Sequence, residues 1–352
     1  MDEMEQVIRI FPQKLRTLLR QADTRRFQAE ELRLRVGQPL LMTAHGAEWY
    51  LEENGMRWRR WEDAERNAEG NTEGGMEGKL SENTAGKQRM DTGRRFCYQV
   101  TAADIRDTLE YMSRYSLYAF DEELRQGFLT IPGGHRIGVA GQVVVEGKRV
   151  KTIQNVSFLN VRVARQIPGC ADPILPWVYS DGNICSALII SPPKCGKTTL
   201  LRDLIRQVSN GCQYIKGVTV GVVDERSELG ACCQGRPQND LGIRTDVLDG
   251  CPKAEGIMML IRSMAPQVVA VDEIGSLEDL EAIRYGKNCG CKLLATVHGC
   301  SLEDIRRKPV LREFAEEGVF ERFIILENRG KPGQVKAVFD EEGRQISDGT
   351  IN

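Results

Sequence analysis

Ala187-Leu-Ile-Ile-Ser-Pro-Pro-Lys-Cys-Gly-Lys-Thr-Thr-Leu-Leu-Arg202 reads as a short apolar strand, a tight turn and the first turn of a helix. Such a junction aims several backbone N–H groups and a helix N-terminus at one point, where phosphate charge is stabilised. Within it, Ser191 to Thr199 follows the phosphate-loop spacing G-x-x-x-x-G-K-[ST] at every position but the first. Ser191, Pro192, Pro193, Lys194, Cys195, Gly196, Lys197, Thr198 and Thr199 are therefore candidates for nucleotide contact. In such a loop Lys197 would reach the β and γ phosphates, Thr198 would offer a hydroxyl to Mg²⁺, and Gly196 would let the backbone close on phosphate. Ser191 stands where the pattern has glycine, so the first turn is expected to form without a residue free to take φ > 0. Cys195 beside a lysine could act as a redox switch, because a cation lowers a thiol pKa; a small residue tolerated in the loop is the plainer reading.

Around this loop the carboxyl-terminal half alternates strand and helix. Ala187 to Ile190, Val218 to Val223, Val268 to Val271, Lys292 to Thr296 and Phe323 to Leu326 are short apolar runs of the kind buried in parallel sheets. Helical stretches at Thr198 to Val208, Ala254 to Met264 and Leu277 to Tyr285 separate the first four, which predicts a parallel α/β sheet with right-handed crossovers.

Three strand ends in this half carry chemistry. Val268-Val-Ala-Val-Asp-Glu-Ile-Gly275 would set Asp272 at the carboxyl edge of the sheet as a second Mg²⁺ contact, with Glu273 free to orient or deprotonate water. Val222-Val-Asp-Glu-Arg-Ser-Glu228 is similar, so Glu225 or Asp224 could polarise water and Arg226 could meet phosphate. Leu293-Leu-Ala-Thr-Val-His-Gly299 places His298, one of three histidines, and Thr296 on the same edge, where either could sense a γ-phosphate. Taken singly, each is also what a solvated loop or a structural histidine looks like.

The amino-terminal half has a different texture. An amphipathic helix is predicted around Leu15 to Leu19, followed by alternating strands at Glu31 to Val36, Leu40 to Ala44 and Glu48 to Leu51. Residues 64–93 are rich in Glu, Gly, Asn, Thr and Lys and nearly devoid of apolar side chains, a composition expected of a disordered insertion. Thr101-Ala-Ala-Asp104 has the shape of a capping box, and strands at Phe128 to Ile131, Arg136 to Val145, Val150 to Ile153 and Phe158 to Val163 follow. The expected organisation is an α+β domain over 1–165, a proline-rich linker over 166–184, the phosphate-loop domain over 185–340 and a tail over 341–352.

Whole-chain properties narrow the class. With 352 residues, two domains are the natural expectation, and a net charge of -2 argues against a protein whose main task is coating nucleic acid. Eleven cysteines at irregular spacings read as reduced thiols, and none has the C-x-x-C arrangement of a zinc site. No secretory signal and no run of 18 apolar residues is visible, so a cytoplasmic protein reaching membranes through partners is expected.

Taken in order, Ser191 to Thr199, Asp224 to Glu228, Asp272-Glu273 and Ala295-Thr-Val-His298 resemble the Walker A, aspartate box, Walker B and histidine box of the secretion ATPases. Those are the motors of type II and type IV secretion and of pilus assembly. Within that superfamily, Val222 to Leu229, Gly242 to Gly256 and Ile261 to Pro266 closely resemble the stage III sporulation protein AA family, as Leu32 to Pro39 and Gly134 to Gly141 do more loosely. The stretch from about 64 to 93 is not part of that pattern. The resemblance implies a RecA-like P-loop sheet with helices on both faces, behind a smaller α+β domain. It implies ATP and Mg²⁺ as ligands, a homo-oligomeric ring, most simply a hexamer, and membrane proteins of a sporulation channel between mother cell and forespore as partners. Carried over residue by residue, it makes Glu273, Glu225 and His298 catalytic candidates and Thr198 and Asp272 the Mg²⁺ contacts. An arginine that neutralises transition-state charge is also implied, with Arg226, Arg262 and Arg136 as candidates beside Arg162, Arg165 and Arg244.

Two other readings compete. A P-loop ATPase acting on nucleic acid, of helicase or loader type, would share the core; Trp58-Arg-Arg-Trp61 is its one sequence hint, though the cluster reads more plainly as the apolar end of a strand with solvated arginines. A scaffold that binds nucleotide without turnover is disfavoured by Asp272 followed by Glu273, and no Asn-Lys-x-Asp segment suggests guanine.

Overall fold

The computed structural model describes residues 3–54, 57–60, 97–112, 125, 127–147, 149–213, 215–328 and 332–347. The chain forms two compact units, Met1–Arg165 and Gln166–Asn352. In the first, alternation decides which residues face inward. In β1 (Ala29–Arg35), Leu32 and Leu34 are buried while Arg33 and Arg35 lie on the other face. The sheet also contains β2 (Leu41–Ala44), β3 (Ala47–Leu51), β4 (Trp58–Arg60), β5 (Phe128–Thr130), β6 (Arg136–Glu146) and β7 (Arg149–Arg162), in the order β4-β3-β2-β1-β7-β6-β5. Helices Glu3–Arg9, Gln13–Gln21 and Ala102–Met112 bring Ile8, Leu15, Leu19 and Ile105 to its core. The Thr101 capping box is present: Asp104 N–H donates to Thr101 Oγ1 at 3.1 Å, and Thr101 N–H donates to Asp104 Oδ2 at 2.8 Å.

One expectation for this unit changes. The two strands expected at 150–153 and 158–163 are one, β7, which pairs with β6 almost throughout across an irregularity between Ala140 and Gln142. Gly141 sits there because the backbones approach too closely for a side chain: a Cβ would lie 2.7 Å from Gln154 O. Trp58 is a core residue, 5% exposed, with Nε1 donating to Thr24 Oγ1 at 2.9 Å. Trp61 and the segment 64–93 lie outside the described residues.

The second unit begins with segments expected as a linker. A 3-10 turn at Asp172–Ile174, a short helix Leu175–Val178, and a hairpin of β8 (Tyr179–Ser180) and β9 (Asn183–Ile184) occupy it, and Ala171, Ile174 and Val178 are fully buried. Pro173 and Pro176 sit at helix starts, where a missing N–H costs little. Then come β10 (Ala187–Ser191), helix Lys197–Asn210, the small hairpin β11 (Gly211–Cys212) and β12 (Ile215–Lys216), β13 (Val220–Asp224), β14 (Thr245–Asp249), helix Lys253–Met264 and β15 (Val268–Val271). Helix Leu277–Asn288, β16 (Lys292–His298), helices Leu302–Arg307 and Pro309–Glu316, β17 (Arg322–Leu326) and β18 (Val335–Asp340) complete it.

The large sheet has the order β14-β13-β15-β16-β10-β17-β18, parallel except for the final antiparallel pair. Every residue of β10, β13 and β15 is buried, as two-sided coverage requires. Successive residues feed opposite cores. Ala187 and Ile189 join Leu200, Leu204 and Val208 of helix Lys197–Asn210 on one face; Leu188 and Ile190 join Ile257, Leu260, Leu280 and Ile283 on the other. This is the RecA-like arrangement of helices on both faces. The expected tail is tied down as far as Ser347: Ile346 N–H donates to Val338 O, and Val338 N–H donates to Ser347 Oγ, each at 2.9 Å. Among the described residues, no helix is long and apolar enough to cross a membrane.

Candidate functional site

Strand β10 ends at the phosphate loop, and the left-handed residues needed to turn it are Lys194, with φ of 62°, and Gly196, with φ of 86°. Ser191 is still strand: it pairs with His298 of β16, and its carbonyl accepts from Gly299 N–H at 3.1 Å. The conformational freedom expected to be needed at position 191 is supplied later in the loop. Gly196 is required twice over, because a Cβ there would lie 2.4 Å from Gly333 N, which itself donates to Cys195 O at 2.7 Å. The β17–β18 turn thus braces the phosphate loop. Cys195 is 3% exposed, packed in the core with Leu200 and Leu201, which favours the small-residue reading.

The end of β15 faces this loop. Lys197 Nζ donates to Glu273 Oε1 at 2.6 Å and to Asp272 Oδ1 at 3.3 Å, with the lysine side chain only 10% exposed. Thr198 Oγ1 donates to Asp272 Oδ2 at 2.7 Å, and Thr296 Oγ1 donates to the other carboxylate oxygen. Glu273 takes a left-handed φ of 55°, held by its own N–H donating to Thr296 Oγ1 at 2.9 Å. That conformation turns its carboxylate toward three basic side chains: Lys197, Arg226 through Nη1 to Oε2 at 2.7 Å, and His298, whose Nε2 lies 2.9 Å from Oε1. Burial works against the Glu273 charge, but Lys197, Arg226 and His298 together hold its carboxyl below the usual range.

Thr198 and Asp272 offer oxygen ligands side by side, the donor type that suits a hard cation such as Mg²⁺. Helix Lys197–Asn210 presents its N-terminus at the same place, a setting whose chemistry suits an anion.

The end of β13 differs from expectation. Glu225 pairs with Lys253; Asp224 is 2% exposed and accepts backbone N–H groups from Glu228 at 2.8 Å and Gly230 at 2.7 Å. From this box, Arg226 reaches Glu273. The other arginine candidates are engaged elsewhere in their own units. Arg136 stacks on Phe128, Arg262 faces Tyr285, Arg162 pairs with Glu31, Arg165 with Glu3, and Arg244 donates to Ser209 O. Sequence reasoning missed Lys253, the bracing turn at Pro332-Gly333, and Arg202, whose place four residues after Thr198 on one helix face was a usable signal.

A profile of the family described as Sporulation stage III, protein AA matches residues 81–346. The chain belongs to that family. Stage III sporulation protein AA of Bacillus subtilis (strain 168) is 45% identical over 250 residues, which are 71% of this chain and 81% of that protein. The match starts at 81, so the last part of the stretch expected to fall outside the family pattern lies within it. Among solved structures, the Legionella pneumophila ATPase DotB aligns with a TM-score of 0.51 at 13% identity, covering 96% of this chain and 79% of that one. The Yersinia pseudotuberculosis ATPase DotB aligns with the same score at 11% identity, covering 96% and 78%. At such identities the likeness is one of fold. The chain shares the architecture of those two ATPases.

Proposed function

We propose that the chain hydrolyses ATP with Mg²⁺ and works as the motor of a secretion-type channel in sporulation. The observation that carries this reading is the convergence of Lys197, Thr198, Asp272 and Glu273 at the carboxyl ends of parallel strands. A triphosphate seated on the loop draws the Lys197 ammonium onto its β and γ oxygens and so away from Glu273. Glu273 Oε1, released from that partner, orients an attacking water and accepts its proton, while Arg226 fixes the carboxylate through Oε2. His298, beside the same carboxylate, reports on the γ position. Thr198 and Asp272 hold Mg²⁺, which when bound neutralises phosphate charge.

The family's name supports the sporulation role, and the secretion-ATPase fold supports a homo-oligomeric ring, most simply a hexamer, working in the mother-cell cytoplasm on membrane partners. Trp58, the described tryptophan of the nucleic-acid hint, is spent on the core of the first unit. The purified chain is expected to release phosphate from ATP only with Mg²⁺, and Lys197→Ala to lose nucleotide binding and turnover together. Turnover retained in Lys197→Ala overturns the assignment of the site. Sedimentation with ATP tests the ring; a monomer under all nucleotide conditions, with membrane partners present, sinks the motor reading.

A further inference from the structure

Arg202 lies on helix Lys197–Asn210, one turn beyond the Mg²⁺ contact Thr198, and is only partly exposed. Its hydrogen bonds go to two successive carbonyls of the loop after β13: Nη2 donates to Glu228 O at 2.7 Å and Nε to Leu229 O at 3.0 Å. A guanidinium presents its N–H groups in a rigid plane and so fixes the direction in which two neighbouring carbonyls are held, whereas an ammonium on a flexible stem bonds carbonyls without fixing that direction. Burial disfavours the guanidinium charge, and Asp224 and Asp272 sustain it. The loop it grips is also held by Asp224 accepting the N–H groups of Glu228 and Gly230, by Asn239 Nδ2 donating to Leu229 O at 2.7 Å, by Ser227 Oγ donating to Asp249 Oδ1 at 2.5 Å and by the Glu225–Lys253 pair. Two residues before Glu228 stands Arg226, whose side chain is 63% exposed and rests on Glu273. An arginine so exposed has little packing of its own to hold it there, so its place depends on where the loop backbone is held.

We propose that Arg202 is a positioning residue for hydrolysis: it ties the 225–230 loop to the helix that follows the phosphate loop and thereby sets Arg226 against Glu273. Movement of that helix as phosphate binds is then passed to the carboxylate through Arg202 and the loop. The proposal rests on the reading of Glu273 as the water-activating group.

The test compares Arg202→Gln, Arg202→Lys, Arg226→Gln and the Arg202→Gln/Arg226→Gln double variant for kcat and for affinity toward a fluorescent ATP analogue. For Arg202→Gln, kcat falls about 10-fold or more while affinity stays within about 2-fold, and the double variant is no slower than the slower single one. Arg202→Lys, which keeps the charge without the fork, recovers only part of the rate; it carries the test if the Gln variant does not fold. Unchanged kcat in the Arg202 variants overturns the proposal, as do parallel losses of kcat and affinity in both, or losses that multiply in the double variant. Glu273→Gln is assayed alongside: turnover persisting there strikes the hydrolytic reading itself, whereas its loss beside an unaffected Arg202→Gln strikes this inference alone.

Discussion

Val222-Val-Asp-Glu225 and Ala270-Val-Asp-Glu273 are nearly the same words, written at the ends of adjacent parallel strands in matching register, with Val223 opposite Val271. Their acids do different things. Asp272 receives hydroxyls and an ammonium from side chains of the phosphate loop and of β16; Asp224 receives backbone N–H groups from the loop that follows it. Glu273 adopts a left-handed backbone and turns to Lys197, whereas Glu225 turns to Lys253. The cause is sheet order. Only β16 stands between β15 and the phosphate-loop strand β10, whereas β13 lies one strand further out, so its acidic end has the loop architecture to support.

The contrast yields graded expectations. Exchanging Glu273 for Gln is expected to lower kcat by about 100-fold or more, since it removes the group placed to accept a proton. Asp224→Asn is expected to act on stability first, lowering it by about 1–3 kcal/mol in denaturant unfolding because a buried acceptor of two N–H groups loses half its capacity. Glu225→Gln is expected to leave kcat within about 2-fold, since Glu225 is the exposed member of its pair with Lys253 and does not bond the phosphate loop. A Glu225 variant as damaged as the Glu273 variant would erase the distinction between the two strand ends.

Much of the second unit was legible because its signals are local. The strand, glycine, lysine and threonine of the phosphate loop occupy fixed spacings, and the buried strands are continuous apolar runs. Strand β14 is not legible, since Thr245–Asp249 is more than half polar and has no apolar run to reveal it, while β18 carries one, Ala337 to Phe339, that the sequence reading passed over. The separation of Glu273 from Glu225 was also out of reach, because it follows from which strands are neighbours and not from the residues at either end. Ser191 was a false difficulty: the spacing marks a glycine position, but here the positive φ values fall at Lys194 and Gly196. Arg202 lay within reach, one helical turn from Thr198, but its carbonyl partners are brought to it only by the fold.

The most direct measurement follows the nucleotide on Glu273→Gln. After incubation of this variant with Mg²⁺ and ATP, the bound nucleotide is released by acid and identified. The account predicts intact ATP at near-stoichiometric occupancy, with phosphate release close to background. ADP recovered at the rate of the unsubstituted protein would contradict it.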